Sequence, residues 1–232
     1  MNDVWKKRLR WLWDEWVRSL LIVLLTVGAF RSAVADWNDV PSGSMKPTIL
    51  EGDRIFVNKL AYDLKVPFTR WRLARWTTPQ RGDIVVLFSP ADGTRLVKRV
   101  VGMPGDRIAL RNDRLFINGR PLAYAPLTGI QVRDFQHSDH PARLLATETL
   151  GEREHPVMIT PELPAMRFFG PLEVPAGQYF VMGDNRDESG DSRVFGFVSE
   201  DAIVGRATAV AASVDPSDHY LPRWRRFLRA LH

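Results

Sequence analysis

The chain has 232 residues, 45% of them apolar and 25% charged, a composition that excludes a disordered polymer and fits a folded protein. Cysteine is absent, so neither disulfides nor thiolate metal ligands contribute. The formal charge of +5 gathers at the two ends, as Lys6, Lys7, Arg8 and Arg10 and as Arg223, Arg225, Arg226 and Arg229, interleaved with tryptophan and leucine. Such ends suit an anionic lipid surface, and no nucleic-acid partner is expected.

Residues 1–15 form a basic tip, expected in the cytoplasm. Leu20 to Phe30 is an uncharged apolar run that is short by itself and reaches a span of roughly 20 residues only over 16–35. Basic residues precede it, so the N-terminus is expected inside and everything after about residue 36 outside. Arg18 and Arg31 have stems long enough to lift their charges to the headgroups. Ala33-Val34-Ala35 after this run imitates the end of a cleavable secretory signal. Arg31, lying between the apolar run and the small residues, is unfavourable for processing, so the expectation is an uncleaved single-pass anchor.

Beyond the anchor, helical periodicity is weak and short β-rich runs recur between turn signals. They are Arg54 to Asn58, Ile84 to Phe88, Leu96 to Val101, Arg107 to Leu110, Arg114 to Ile117, Tyr179 to Met182 and Ala202 to Ala212. Gly-Asp pairs at 52–53, 82–83 and 105–106 precede several of them, and Asn118-Gly119 is a strong hairpin turn. The reading is all-β and antiparallel. From about Pro121 to Pro175 the pattern weakens into a stretch rich in proline, histidine and charge, an insertion between two halves of one core. In the tail, Leu221, Trp224, Phe227, Leu228 and Leu231 fall on one helical face, which predicts a small amphipathic helix resting on the sheet or on a membrane surface.

Three segments carry chemistry. Pro41 to Thr48 sets Ser42 and Ser44 around Gly43 between prolines, which is an ordinary turn or a loop whose backbone N–H groups meet an oxyanion while a hydroxyl is exposed. The histidines offer no motif-like base: His137, His140 and His155 lie in the insertion, His219 and His232 in the tail. Lys98 alternates with Leu96 and Val100 on one strand face, so it is a lysine with its head in water at a strand edge, or one whose desolvated amine is neutral near neutral pH and able to take a serine proton. Gly183 to Arg193 is a dense polar loop in which Ser189 has the chemistry to orient that amine, and Asp191, Arg193 and Arg99 to form a supporting ion network. It lacks the spacing and terminal glutamate of a calcium loop, so no metal or other cofactor is expected.

In order along the chain, the Pro41 to Thr48 loop, Arg81 to Val85, Lys98-Arg99 with Val100 to Asp106, and the loop 183–193 together resemble the type I signal peptidases. The likeness runs on through Gly196 to Ala207. It implies an all-β fold, an antiparallel catalytic core over 36–112 and 178–218 with a smaller β cap inserted at 113–177, behind one membrane helix and ahead of a basic tail, 219–232. It implies Ser44 as nucleophile, Lys98 as general base, Ser189 holding Lys98, and an oxyanion site made by the Ser44 N–H and the Ser42 hydroxyl. The substrates it implies are signal peptides of exported preproteins, bound extended beside a core strand. Small pockets, with Val40, Met45, Val86 and Val97 as wall candidates, would select alanine-like residues one and three positions before the cut, at the outer face of a bacterial cytoplasmic membrane. The resemblance leaves oligomeric state open.

Two positions depart from that pattern. Asn38 stands where a bulky aromatic often shapes the pocket for the residue three before the cut, and Glu188 replaces a common asparagine. Two other functions share the residues: a maturation peptidase dedicated to one exported substrate, and a catalytically silent module that binds extended peptides. The self-cleaving repressors share the Ser/Lys logic, but the anchor disfavours them.

Overall fold

In the computed structural model, residues 11, 13–69, 71–127 and 143–231 are described. A π-turn (Trp13–Val17) leads into α1 (Arg18–Ala33), almost wholly exposed along its length. Glu15–Ala33 is the one helix among the described residues long and apolar enough to cross a membrane. Its C-terminal end is tied down. Lys59 Nζ donates to the carbonyls of Arg31 (2.7 Å) and Ser32 (3.3 Å), meeting acceptors that a helix end leaves open. Arg31 pairs with Asp36 at 2.7 Å and stacks over Trp37. Ala33 is buried and Ala35 pairs with Asn58, so the signal-like Ala33-Val34-Ala35 is built into the fold.

From there the period-two runs become strands: β1 (Ala35–Asp39), β2 (Asp53–Asn58), β3 (Asp63–Lys65), β4 (Arg72–Arg75), β5 (Ile84–Phe88) and β6 (Arg95–Gly102). β2 shows the rule plainly, burying Asp53, Ile55 and Val57 and exposing Arg54 and Phe56. Next come β7 (Arg107–Arg111), β8 (Arg114–Ile117), β9 (Arg120–Pro121), β10 (Ala123–Pro126), β11 (Leu144–Leu150), β12 (Arg153–Ile159) and β13 (Phe168–Glu173). The chain finishes with β14 (Gln178–Met182), a single helical turn α2 (Ser192–Phe195), β15 (Val198–Ser199), the long β16 (Ile203–Asp215), β17 (Leu221–Pro222) and β18 (Arg229–Ala230).

The main sheet is antiparallel in the order β1-β2-β16-β5-β6-β14-β15, with β17 and β18 added to β16. Its two faces bury separate clusters, one around Val40, Met45, Ile49 and Val86, the other around Val85, Leu87, Val100 and Tyr179. β14 covers β6 only from Arg99 to Gly102, and β1 pairs only with β2 among the described residues, so Arg95–Lys98 and β1 each present an uncovered strand edge. The sheet curls until these edges approach, and Arg95 reaches Asn38 across the gap at 2.7 Å.

The insertion holds two small sheets, β13-β7-β8-β9 and β10-β11-β12. β7 pairs with β8 and β13, so the change of sheet falls between Gly102 and Arg107. Asn118 and Gly119 both take positive φ, as the predicted hairpin turn requires. A shared apolar cluster of Val101, Ile108, Leu110, Leu115, Phe180 and Met182 joins the first small sheet to β6 and β14.

The tail corrects the sequence reading, for it is not an amphipathic helix. It runs as β17, a 3-10 turn (Trp224–Arg226) and β18, because Arg226 is drawn under the sheet to Asp53 (Nε at 3.1 Å) and Arg223 is fixed to Asp215 (3.1 Å). Burying an arginine requires its carboxylate partner, and that demand outweighs the apolar period.

The β3–β4 hairpin stands beside the C-terminal end of α1. Phe68 N–H donates to Ser32 Oγ (2.7 Å), and a Cβ placed on Gly28 would lie 3.3 Å from the Phe68 ring. Phe68, Trp71, Leu73 and Trp76 are all exposed on this hairpin, while Arg72 and Arg75 pin it to Asp201 and Glu200.

Candidate active site

Ser44 sits in a 3-10 turn (Gly43–Met45) entered from an extended Ser42. Met45 and Ile49 behind it are fully buried and hold the loop against β2 and β5. On the facing strand, β6, Lys98 Nζ donates to Ser44 Oγ at 2.6 Å. These residues lie 54 positions apart and meet with no histidine between them.

Lys98 is only 2% exposed. Burial lowers its pKa to about 8, against the opposing pull of Asp191 and Asp184, with Arg193 adding to the depression. A measurable neutral fraction therefore exists near pH 7, and the same two carboxylates stabilise the ammonium once it forms. Asp191 is itself buried, which raises its pKa, yet the hydrogen bonds and charge of Arg193 and the Gly183 N–H leave it lower than usual.

The polar loop between β14 and α2 clamps the Ser44 turn from behind. Asn185 N–H donates to Ser44 O (3.1 Å), and Asn185 Nδ2 donates to Gly43 O (3.1 Å) and to Glu188 Oε2 (2.9 Å). Gly183 is wedged so closely between the Ser44 carbonyl and the Ser189 hydroxyl that any Cβ there would collide with both. Ser189 is thus brought beside the Ser44 turn, with its hydroxyl buried next to the Asp191 carboxylate, which it helps to hold below the usual range. Ser42 is exposed, and its side chain makes no capping bond to the turn.

The expected ion network divides in two. Arg99 does not join Asp191. Successive residues of a strand point to opposite sides, so Arg99 turns away from Lys98 and binds Asp184 through Nε (2.9 Å) and Nη2 (2.8 Å). Asp184 also accepts from Thr48 Oγ1, linking the lysine strand to the serine loop. Arg193 takes Asp191 at 2.7 Å, and Asp191 caps α2. His155 lies beneath Asp184 and Glu148, where burial and Arg99 depress its pKa and keep it neutral; His219 is exposed on the tail. His137, His140 and His232 lie outside the described residues.

A groove of about 230 Å³ opens in front of the pair, lined among others by Val40, Met45, Val97, Arg95 and Asn38 together with Ser42, Ser44 and Lys98. Val86, the fourth wall candidate, does not reach it. It pairs with Val97 from β5 and is fully buried in the cluster that Val97 packs against. Gly183, Asn185, Asp184 and Thr48 were not singled out by sequence reasoning. The density of polar residues from Gly183 onward was the available signal, but which partner each would take depends on chain positions more than 130 residues away. Among the described residues no cluster of His, Cys, Asp or Glu is arranged to hold a metal.

A family model described as signal peptidase, peptidase S26, matches residues 13–212. The chain is 39% identical over 227 residues to a signal peptidase I of Pseudomonas fluorescens, covering 91% of this chain and 77% of that one. To a signal peptidase I of Pseudomonas aeruginosa it is 37% identical over 231 residues, with 91% and 77% covered. A signal peptidase I P of Bacillus subtilis subsp. natto is 33% identical over 207 residues, with 88% and 92% covered. The class is therefore that of the peptide-bond hydrolases. Within it, the chain belongs to the signal peptidase, peptidase S26, family.

Proposed function

We infer that this chain, a peptidase that removes signal peptides, cleaves with Ser44 as nucleophile and Lys98 as general base. The observation that carries the reading is the 2.6 Å contact between a buried lysine amine and a serine hydroxyl, with the amine's pKa brought down to about 8. Neutral Lys98 takes the proton as Ser44 Oγ attacks the scissile carbonyl. The Ser44 N–H and the Ser42 hydroxyl receive the oxyanion. Lys98, now an ammonium, returns its proton to the leaving amine, and a water repeats the sequence on the ester left at Ser44. Ser189 acts as a positioning residue for Lys98, a role supported by its buried hydroxyl between the Ser44 turn and the Asp191 carboxylate.

The substrate lies extended along the uncovered edge of β6, with its side chains one and three before the cut entering the groove that Val40, Met45 and Val97 help to line. The enzyme is held at the bilayer by α1, with the N-terminus cytoplasmic and the β body on the outer side. The uncharged run Ser19–Phe30 and the exposed aromatic hairpin beside its outer end support that placement. In the test, a preprotein with an Ala-x-Ala site is incubated with full-length wild type, Ser44→Ala and Lys98→Ala. Both variants lose cleavage by at least about a thousandfold while remaining folded. Undiminished cleavage by folded Lys98→Ala refutes the pair.

A further inference from the structure

The groove is apolar at one end only. Beside Lys98 it is walled by Val97, Met45 and Val40, but two residues back along β6 the same face presents Arg95. Arg95 Nη1 donates to Asn38 Oδ1 at 2.7 Å, so Asn38 is tied from one side, with its oxygen committed to the guanidinium. The opposite orientation of the amide would aim Nδ2 at a cation, so the assignment of O and N is fixed. Asn38 Nδ2 is consequently turned away from Arg95. It is buried and has no hydrogen-bond partner. Arg95 is further steadied by stacking over Phe88 and by Asp36 at 3.9 Å, with its side chain still 39% exposed. A buried donor left unpaired is costly, and at the wall of a binding groove an incoming polar group is one partner that relieves the cost.

The spacing says which substrate residue arrives. Side chains on one face of a strand repeat about every 7 Å, in an extended peptide as in β6. A peptide laid along the uncovered edge with its residue before the cut at Val97 sets its residue three before the cut at Arg95 and Asn38. This rests on the reading of Ser44 and Lys98 given above. We propose that Asn38 and Arg95 form a specificity subsite for an oxygen-bearing side chain, hydroxyl, amide carbonyl or carboxylate, three residues before the cleaved bond. Alanine is tolerated there because it is small. An aliphatic side chain of the same size as the preferred one is rejected, because it covers the exposed Arg95 guanidinium without pairing it and leaves the Asn38 amide unmet.

Isosteric pairs isolate the effect. Purified full-length enzyme in detergent micelles is given one preprotein with alanine before the cut and Thr, Val, Asn, Leu or Ala at the third position before it. In wild type, kcat/KM for Thr exceeds that for Val, and Asn exceeds Leu, each by roughly tenfold, the scale of one missed hydrogen bond at a buried group. In Asn38→Leu both ratios fall to about one or invert, and in Arg95→Met, which releases the Asn38 amide, they shrink. Each ratio is taken within one enzyme preparation, so a variant that folds poorly still reports it. A wild type that prefers Val to Thr, or ratios that both variants leave unchanged, overturns the subsite while leaving the nucleophile and base intact. Failure of wild type to cut even the alanine substrate refutes the underlying reading as well.

Discussion

Replacing Lys98 with methionine separates stability from chemistry. The native fold holds this amine at a pKa of about 8 against 10.5 for a free lysine, a gap worth roughly 3 kcal/mol. The cation is the disfavoured form, so the penalty is complete below about pH 8. Between about 8 and 10.5 the unfolded chain binds more protons than the native one, so stability rises with pH and the penalty fades. Methionine fills nearly the same volume without charge. It removes the penalty and also the hydrogen bond to Ser44, which contributes about 1 kcal/mol. Lys98→Met is thus expected to be inactive yet about 2 kcal/mol more stable than wild type at pH 7, with that advantage gone by about pH 10.5. Guanidinium unfolding of both proteins in the same detergent, followed by tryptophan fluorescence from about pH 6 to about pH 10.5, gives the difference directly. A variant less stable than wild type at pH 7, or two stability curves that stay parallel across the range, refutes the account of a desolvated base.

The same lysine sets the pH profile: kcat/KM rises through a midpoint near 8, and a limb centred at the ordinary lysine value of 10.5 contradicts it. Gly183→Ala drives a methyl into the Ser44 carbonyl and the Ser189 hydroxyl, and is expected to cut kcat by about a hundredfold with the circular dichroism unchanged. Asp184→Asn leaves Arg99 buried against a neutral amide and is expected to cost about 3 to 5 kcal/mol in denaturant, so a loss under about 1 kcal/mol removes the claim that this pair joins the lysine strand to the serine loop. Because the chain has no cysteine, Trp71→Cys introduces a unique thiol for a fluorophore. Nitroxides placed in the headgroup region of nanodiscs quench it, whereas a label at Arg114→Cys on the cap hairpin stays bright; equal quenching at the two positions argues against the β3–β4 hairpin meeting the bilayer.

How far the sequence could be read depended on whether each element's cause was local. β5 and β8 were legible to the residue because their apolar runs end at turn formers on both sides. β1 was not, since Ala-Asp-Trp-Asn-Asp carries no apolar alternation; it is a strand because β2 offers it an edge and Lys59 and Arg31 neutralise Asp36 beside it. The tail misled in the opposite direction. Its apolar spacing is helical, but Asp53, 173 residues away, claims Arg226, and Asp215 at the end of β16 claims Arg223. At the site, Ser44 and Lys98 stood out through neighbouring residues of their own motifs. Arg99 was assigned to the wrong carboxylate because two candidates, Asp184 and Asp191, occupy one loop and only the facing direction of a strand residue distinguishes them.

The tether between α1 and β1 has a further consequence. With Lys59 holding the last carbonyls of the helix and Ala35 already paired to Asn58, no free linker stands between the apolar segment and the wall of the groove. β1 is five residues long, roughly 17 Å at the rise of a strand. The structure therefore works as a ruler. With α1 seated in a bilayer as proposed, the height of Ser44 above the hydrocarbon would be set by the protein's own backbone, and a bond would be selected by how far it emerges from the membrane as well as by the side chains around it.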